Sequence, residues 1–165
     1  MNNSAFIKDD KVWQKMKKNL MKGQSLAAKI GVFDKYYGEE NDNLPVAQVF
    51  QWQEEGTAGG QGNGSGIPMR PAIRYFIMQL EEEGKFIPFI SKYLNSVAMG
   101  TMTWTQLYEK IGEAAAKDLK EVVDQWEIPP NRPATIAQKG GRNDPLVDTG
   151  TMRDSIEHKI GRKTD

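Results

Sequence analysis

Three observations predict an α+β fold for this chain: several helices packed on a small, mostly antiparallel sheet, with an extended loop and a C-terminal arm. First, Thr103 and Gln106 are spaced as a capping box, and Leu107, Ile111, Ala115, Leu119, Val122 and Trp126 follow as one helical stripe. Second, Leu26, Ala28, Ile30 and Val32 alternate, which is the period of a strand. Third, Leu146, Val147, Met152, Ile156 and Ile160 stand together after a proline-rich break, and Ser155–Ile160 reads as a second strand.

The 165 residues suit a single domain over 1–165 and allow about 70% of the unfolded surface to be buried. Residues 8–22 form a predicted helix with Val12, Trp13, Met16 and Leu20 on its apolar side and Gly23 as its stop. Its other side is basic. Residues 1–30 hold seven lysines against Asp9 and Asp10. The strand at 25–33 leads into an acidic, turn-rich connector from Asp34 to Asn43.

Pro45 opens a short segment in which Val46, Val49, Phe50 and Gln53 share a helical face, with Asn43 as the expected cap and a strand as the alternative. Residues 56–66 hold six glycines in eleven positions and read as a flexible loop. Pro71 starts a helix carrying Ile73, Phe76, Ile77 and Leu80, closed by Gly84. Pro88 begins the next, with Phe89, Ile90, Tyr93, Leu94 and Val97 at helical spacing. Met102 is placed to staple onto Leu107 at the start of the long helix, which Pro129-Pro130 ends. Residues 131–144 read as an extended arm, after which Asp148 is the expected cap of a short turn carrying Met152.

Composition excludes several chemistries. The 22 basic residues are balanced by 22 acidic ones, so no wholesale basic coat for nucleic acid exists. There is no cysteine for a nucleophile, a disulfide or a thiolate metal site. His158 is the sole histidine, so a hydrolase would have to use it as base, and it reads as an ordinary surface or strand position. The glycine-rich loop lacks the lysine of a phosphate cradle, since none occurs between Lys35 and Lys85. Glu81, Glu82 and Glu83 point in different directions on a helix and read as a solvated end. No enzyme, cofactor or metal is expected. The N-terminal residues lack a leader's apolar core, and no apolar run approaches the ~20 residues of a membrane span.

The lysine-rich first helix offers two further readings. Lys8, Lys11, Lys15, Lys17, Lys18 and Lys22 suit phosphate contacts in a small nucleic-acid-binding protein, or else a solvated face of an amphipathic helix or docking onto an acidic protein partner. The absence of arginine and of an exposed base-stacking platform favours the second. Trp13, Trp52, Trp104 and Trp126 are many for this length and suit a core or contacts between subunits.

Two motifs in order carry a resemblance. The first runs Val46-Ala47-Gln48-Val49 to Glu55-Gly56-Thr57 and, beyond the loop, Ile67-Pro68-Met69-Arg70-Pro71. The second is Pro145-Leu146-Val147-Asp148-Thr149-Gly150-Thr151-Met152-Arg153-Asp154-Ser155-Ile156. Together they resemble the virion-morphogenesis, tail-completion or neck family of tailed bacteriophages, over roughly residues 25–160. The chain departs from that pattern in lacking an aromatic residue before Gly56 and in having Ala72 after the arginine-proline pair.

The resemblance implies a structural, non-enzymatic subunit of the virion, assembled in the host bacterial cytoplasm as a ring of six or twelve copies. Such a ring joins portal or adaptor to tail tube around the channel through which DNA passes, away from any membrane. By resemblance, Pro68, Arg70 and Pro71 set the start of a helix, with Arg70 available to a carboxylate on a neighbour. Asp148, Thr149 and Gly150 shape the turn before the C-terminal segment, and Glu55, Gly56, Met152, Ser155 and Ile156 complete the motifs. The loop 56–66 and the arm 131–144 are expected to order on assembly. Residues 145–165 are expected to serve assembly rather than the subunit's own core.

Overall fold

A computed structural model describes residues 10–58, 66–84 and 86–163. Seven helices and one two-stranded antiparallel sheet are present among them, as an α+β fold. Helices α1 (Asp10–Met21), α2 (Val46–Glu55), α3 (Ala72–Glu83), α4 (Phe86–Met99) and α5 (Trp104–Asp124) are followed by the short α6 (Pro133–Gln138) and α7 (Thr151–Asp154). The sheet pairs β1 (Leu26–Val32) with β2 (Ile156–Arg162), in a register running from Leu26 opposite Arg162 to Val32 opposite Ile156. Lys8, Lys85 and the central part of the glycine-rich loop, 59–65, lie outside the described residues.

Helix α5 is the spine. Its capping box forms: the Thr103 hydroxyl accepts from the Gln106 amide at 3.2 Å, and the Gln106 side chain accepts from the Thr103 amide at 2.9 Å. Both strands lie across α5, α3 and α4 also pack on α5, and α1 packs on α4. Leu107, Ala115, Ala116, Leu119 and Val123 are buried along α5. That stripe is turned slightly from the expected Ile111–Val122–Trp126 edge, which is only half-buried. The sheet, not another helix, takes the larger share of the α5 surface, and a flat ribbon needs small residues beneath it.

Gly112 is where that need is sharpest. A Cβ on Gly112 would lie 2.4 Å from the His158 ring of β2. Gly23 plays the same part at the other end, directly beneath the Trp104 ring. The Trp104 indole N–H donates to the Asn19 carbonyl at 2.8 Å and fixes the end of α1 there.

Four local expectations are corrected. Asn43 does not cap α2; it sits in a left-handed conformation, φ 51°, within a turn closed on Gly38, and Pro45 precedes the helix. The α2 start is held instead by the Val46 amide donating to the Lys35 carbonyl at 2.9 Å. Helix α4 begins at Phe86, two residues ahead of Pro88, because a proline within the first turn has no amide bond to lose. The arm 131–144 contains α6, started by Pro133 at its first position. Finally, Gly150 rather than Asp148 precedes α7: its φ of 88° is left-handed and no side chain caps the turn.

Within 145–163, the described part of the C-terminal segment, the chain contributes to the subunit's own core. Leu146, Met152 and Ile156 are buried with Val46, Phe50, Phe76 and Leu119 in one cluster, and β2 supplies half of the sheet. Apolar side chains next to a charged sequence have been buried internally because α2 and α5 offered a closer partner than another copy.

Candidate functional site

The two sequence motifs, about 90 residues apart in the chain, come together at the end of α2. Val46, Phe50 and Glu54 recur every four residues and line the inner face of that helix. The Glu54 carboxylate is buried because it has a use: it accepts from the amides of Ile73 at 2.9 Å and Arg74 at 3.1 Å. These are unpaired amides in the first turn of α3, where a negative charge also meets the positive end of the helix. Arg74 completes the arrangement at 3.6 Å. Such a cap contributes about 1–2 kcal/mol. Glu55, the acid singled out from the motif, is exposed and accepts from the Gln51 side chain at 3.4 Å.

Beyond Glu55 the chain turns at Gly56, where a φ of 72° and a Cβ that would lie 3.0 Å from the Met69 amide nitrogen disfavour a side chain. The glycine-rich loop is pinched at its base. Thr57 donates its amide to the Ile67 carbonyl and accepts the Ile67 amide on its hydroxyl, both at 2.9 Å. Pro68 and Pro71 then bracket Arg70, whose amide returns to the Gln53 carbonyl at 2.6 Å.

Arg70 is 5% exposed. Its Nε donates to the Pro129 carbonyl at 3.1 Å; Nη1 donates to Gln53 Oε1 at 2.9 Å and to the Pro145 carbonyl at 3.5 Å. Nη2 donates to the Pro130 carbonyl and Asn131 Oδ1, each at 3.4 Å. All five N–H groups therefore have acceptors, and every acceptor is neutral. Burial lowers the basicity of this guanidinium. The expected availability of Arg70 to a neighbour's carboxylate is corrected by this: its hydrogen-bonding capacity is spent inside the subunit, tying α2 to the 129–131 linker and to the start of the second motif.

The second motif is equally occupied. Lys139 pairs with Asp144 at 2.6 Å and donates to the carbonyls of Asp144 and Val147, folding the arm back on itself. The Thr149 and Thr151 hydroxyls meet at 2.8 Å, and the Ser155 hydroxyl donates to the Thr151 carbonyl at 2.7 Å. Arg153 bridges Asp154 at 2.8 Å and Asp124 at 3.0 Å, fastening α7 to the end of α5. Met152 and Ile156 are buried, while Asp148 and Thr149 are exposed.

For Asp144, burial alone would raise the carboxyl pKa, but the Lys139 hydrogen bond, its own amide and the charges of Lys139 and Arg142 outweigh it and lower the value. A carboxylate depressed on folding stabilises the fold above its ordinary pKa of 3.8, and that contribution is lost as pH falls through the folded value. Asp144→Asn is expected to flatten the acid limb of a stability-versus-pH curve below about pH 4, measured by urea unfolding across pH.

Gln53, Arg70, Arg132, Lys139, Arg142 and Asp148 share an open cleft of about 730 Å³. It is polar and electropositive, yet Lys139 and Arg142 already face Asp144. His158, the one candidate base, has its Nε2 2.7 Å from Glu109 Oε2 and its ring on Gly112. Among the described residues no group of three or more histidine or acidic side chains is placed to hold a metal ion, and no helix is long and apolar enough to cross a membrane. On α1, Lys11, Lys15, Lys17 and Lys18 are all exposed, as are Lys22 just after it and Trp13 at 59%. Trp52, Trp104 and Trp126 are half-buried, Trp126 edge-on to Tyr75 at 5.8 Å.

Sequence reasoning placed Gln53 on the face of α2 shared with Val46 and Phe50 without its contact to Arg70, and missed Glu54, Lys139 and the Gly112–His158 contact. For Glu54 a signal existed, its place four residues after Phe50 on the apolar face of α2; the Gln53–Arg70 and Gly112–His158 contacts join separate segments, whereas Lys139 meets Asp144 and Val147 only five and eight positions on. No family model, curated protein or solved structure matches the chain.

Proposed function

We propose that this chain is a structural subunit of a tailed-phage particle, forming a ring at the head–tail junction around the DNA channel, between portal or adaptor and tail tube. The observation that carries the reading is the meeting of the two motifs through Arg70 and Pro145. The residues behind the resemblance thus form one built junction, and its side chains are occupied with holding elements together rather than with a substrate. The sheet supports the same reading. A two-stranded ribbon, covered on one face by α5, is marginal alone and gains from an added strand on an open edge.

The test uses the phage that encodes the chain, with an amber codon in its gene. Full heads beside separate, complete tails are expected by electron microscopy of lysates from a non-suppressing host, with joining restored by added purified protein. Intact infectious particles without the protein would overturn the proposal.

A further inference from the structure

Helix α5 separates two surfaces of opposite charge. At its N-terminal end, Trp104 holds α1 through the Asn19 carbonyl at 2.8 Å. There Lys11, Lys15, Lys18 and Lys22 recur at intervals of four, three and four residues and form one exposed stripe, turned away from Met16 and Leu20. Residues 10–22 carry five lysines against Asp10 and hold no arginine. None of the ion pairs among the described residues involves these lysines.

At the other end, Arg153 ties α7 to Asp124, and the turn 34–43 borders α7 across a cleft lined by Tyr36, Gly38, Glu40, Thr149 and Met152. This turn carries Asp34, Glu39, Glu40 and Asp42 against Lys35 alone, all exposed. Among the described residues Asp34 makes the one ion pair of this turn, with Lys159 at 3.1 Å, and Glu40 accepts from Asn41 within the turn at 3.5 Å. The turn is built rather than loose. Asn41 donates its amide to the Gly38 carbonyl and Val46 to that of Lys35, both at 2.9 Å, while Asp42 and Asn43 take left-handed conformations. Tyr36 stands beside the carboxylates, 61% exposed.

Among the described residues no ion pair joins a lysine of the stripe to an acid of the turn, and the anchor points of the two surfaces, Trp104 and Asp124, lie about 30 Å apart along the 21 residues of α5. That exceeds the screening length of about 10 Å at 0.1 M salt, so the poles do not neutralise each other within one subunit. We propose that they meet between copies: the lysine stripe of α1 docks on the 34–43 turn of the next subunit, head to tail. This inference rests on the ring reading and supplies its contact. A head-to-tail contact uses two different patches of one chain, and it closes into a ring when its rotation divides the circle. A polyanion such as DNA would use the lysine stripe but has no use for the acidic turn. The matched pair therefore favours a second copy.

The test is sedimentation velocity of the full chain in about 50 mM and about 500 mM salt, where surface charge contacts differ most in screening. The wild type is expected to associate at low salt, with its association constant falling about tenfold or more at high salt. Lys11→Glu/Lys15→Glu/Lys18→Glu and, separately, Glu39→Lys/Glu40→Lys/Asp42→Lys should each remain monomeric. An equimolar mixture of the two should associate again, because each restores the other's missing sign. Circular dichroism confirms that both variants keep the wild-type helix content, and the mixture itself reports only folded chains.

Assembly of both variants alone would overturn this contact and leave the ring reading standing. Failure of the mixture, with both variants folded, would also overturn it. So would loss of assembly in the lysine variant alone, especially with loss of binding to a duplex oligonucleotide, which would assign the stripe to nucleic acid. A wild type that stays monomeric at every concentration overturns the contact, while the ring reading is then judged by the amber-mutant particles.

Discussion

Arg70→Ala is expected to remove about 3–5 kcal/mol of stability, a large share of the roughly 5–15 kcal/mol of a typical domain. The side chain is 5% exposed and donates to five neutral oxygens on Gln53, Pro129, Pro130, Asn131 and Pro145. Truncation leaves these oxygens without their donor and opens a space beneath them. Arg70→Met, which keeps the stem but no donor, should recover only the part due to volume. Arg70→Lys should fall between, because a single ammonium cannot reach acceptors arranged around a planar fork. Urea unfolding with matched slopes measures the series. A loss under about 0.5 kcal/mol for Arg70→Ala, the range of ordinary surface changes, would refute the role assigned to the guanidinium.

Gly112→Val is expected to cost about 3 kcal/mol, at the upper end for overpacking. A Cβ there would sit 2.4 Å from Cδ2, 2.6 Å from Cγ and 3.0 Å from Cβ of His158. Rotating the ring relieves the first two contacts but not the third, which belongs to the strand itself. The ring is also held by Glu109 at 2.7 Å. A β-branched residue on a helix has little freedom to turn away, so β2 has to lift from α5. Gly112→Ala should be destabilising in the wild type despite its better helix propensity of about 1 kcal/mol. With His158→Ala it should become neutral or stabilising. The double-mutant cycle reads this coupling directly, and additivity would show that the strand and helix do not meet as described.

The chain's local signals were legible where one segment decides its own conformation. Thr103 and Gln106 form their capping box from residues three apart, and Leu26–Val32 takes the strand that its alternation implied. Boundaries were less legible where two neighbouring residues competed. Asn43 and Asp148 are good capping types, but the turn around Gly38 and the left-handed Gly150 each placed the chain differently. Residues 145–165 illustrate a further gap: apolar positions show that something must cover them, not whether the cover is this subunit or another.

By itself the sequence determined most of the helical and strand segments, though not α6, the pairing of an early strand with a C-terminal one, and the lack of cysteine. Those follow from periodicity, capping and composition, which act over a few residues. Tertiary structure alone decided that Glu54 caps α3 from another helix, that Arg70 is enclosed by neutral oxygens 17, 59, 60, 61 and 75 positions away, and that Gly112 lies under His158. It also decided that α1 is held at the Trp104 end of α5 while α7, beside the acidic turn, is held at the Asp124 end. The reason is physical: burial and charge separation depend on which distant segments meet, and no local preference encodes that meeting.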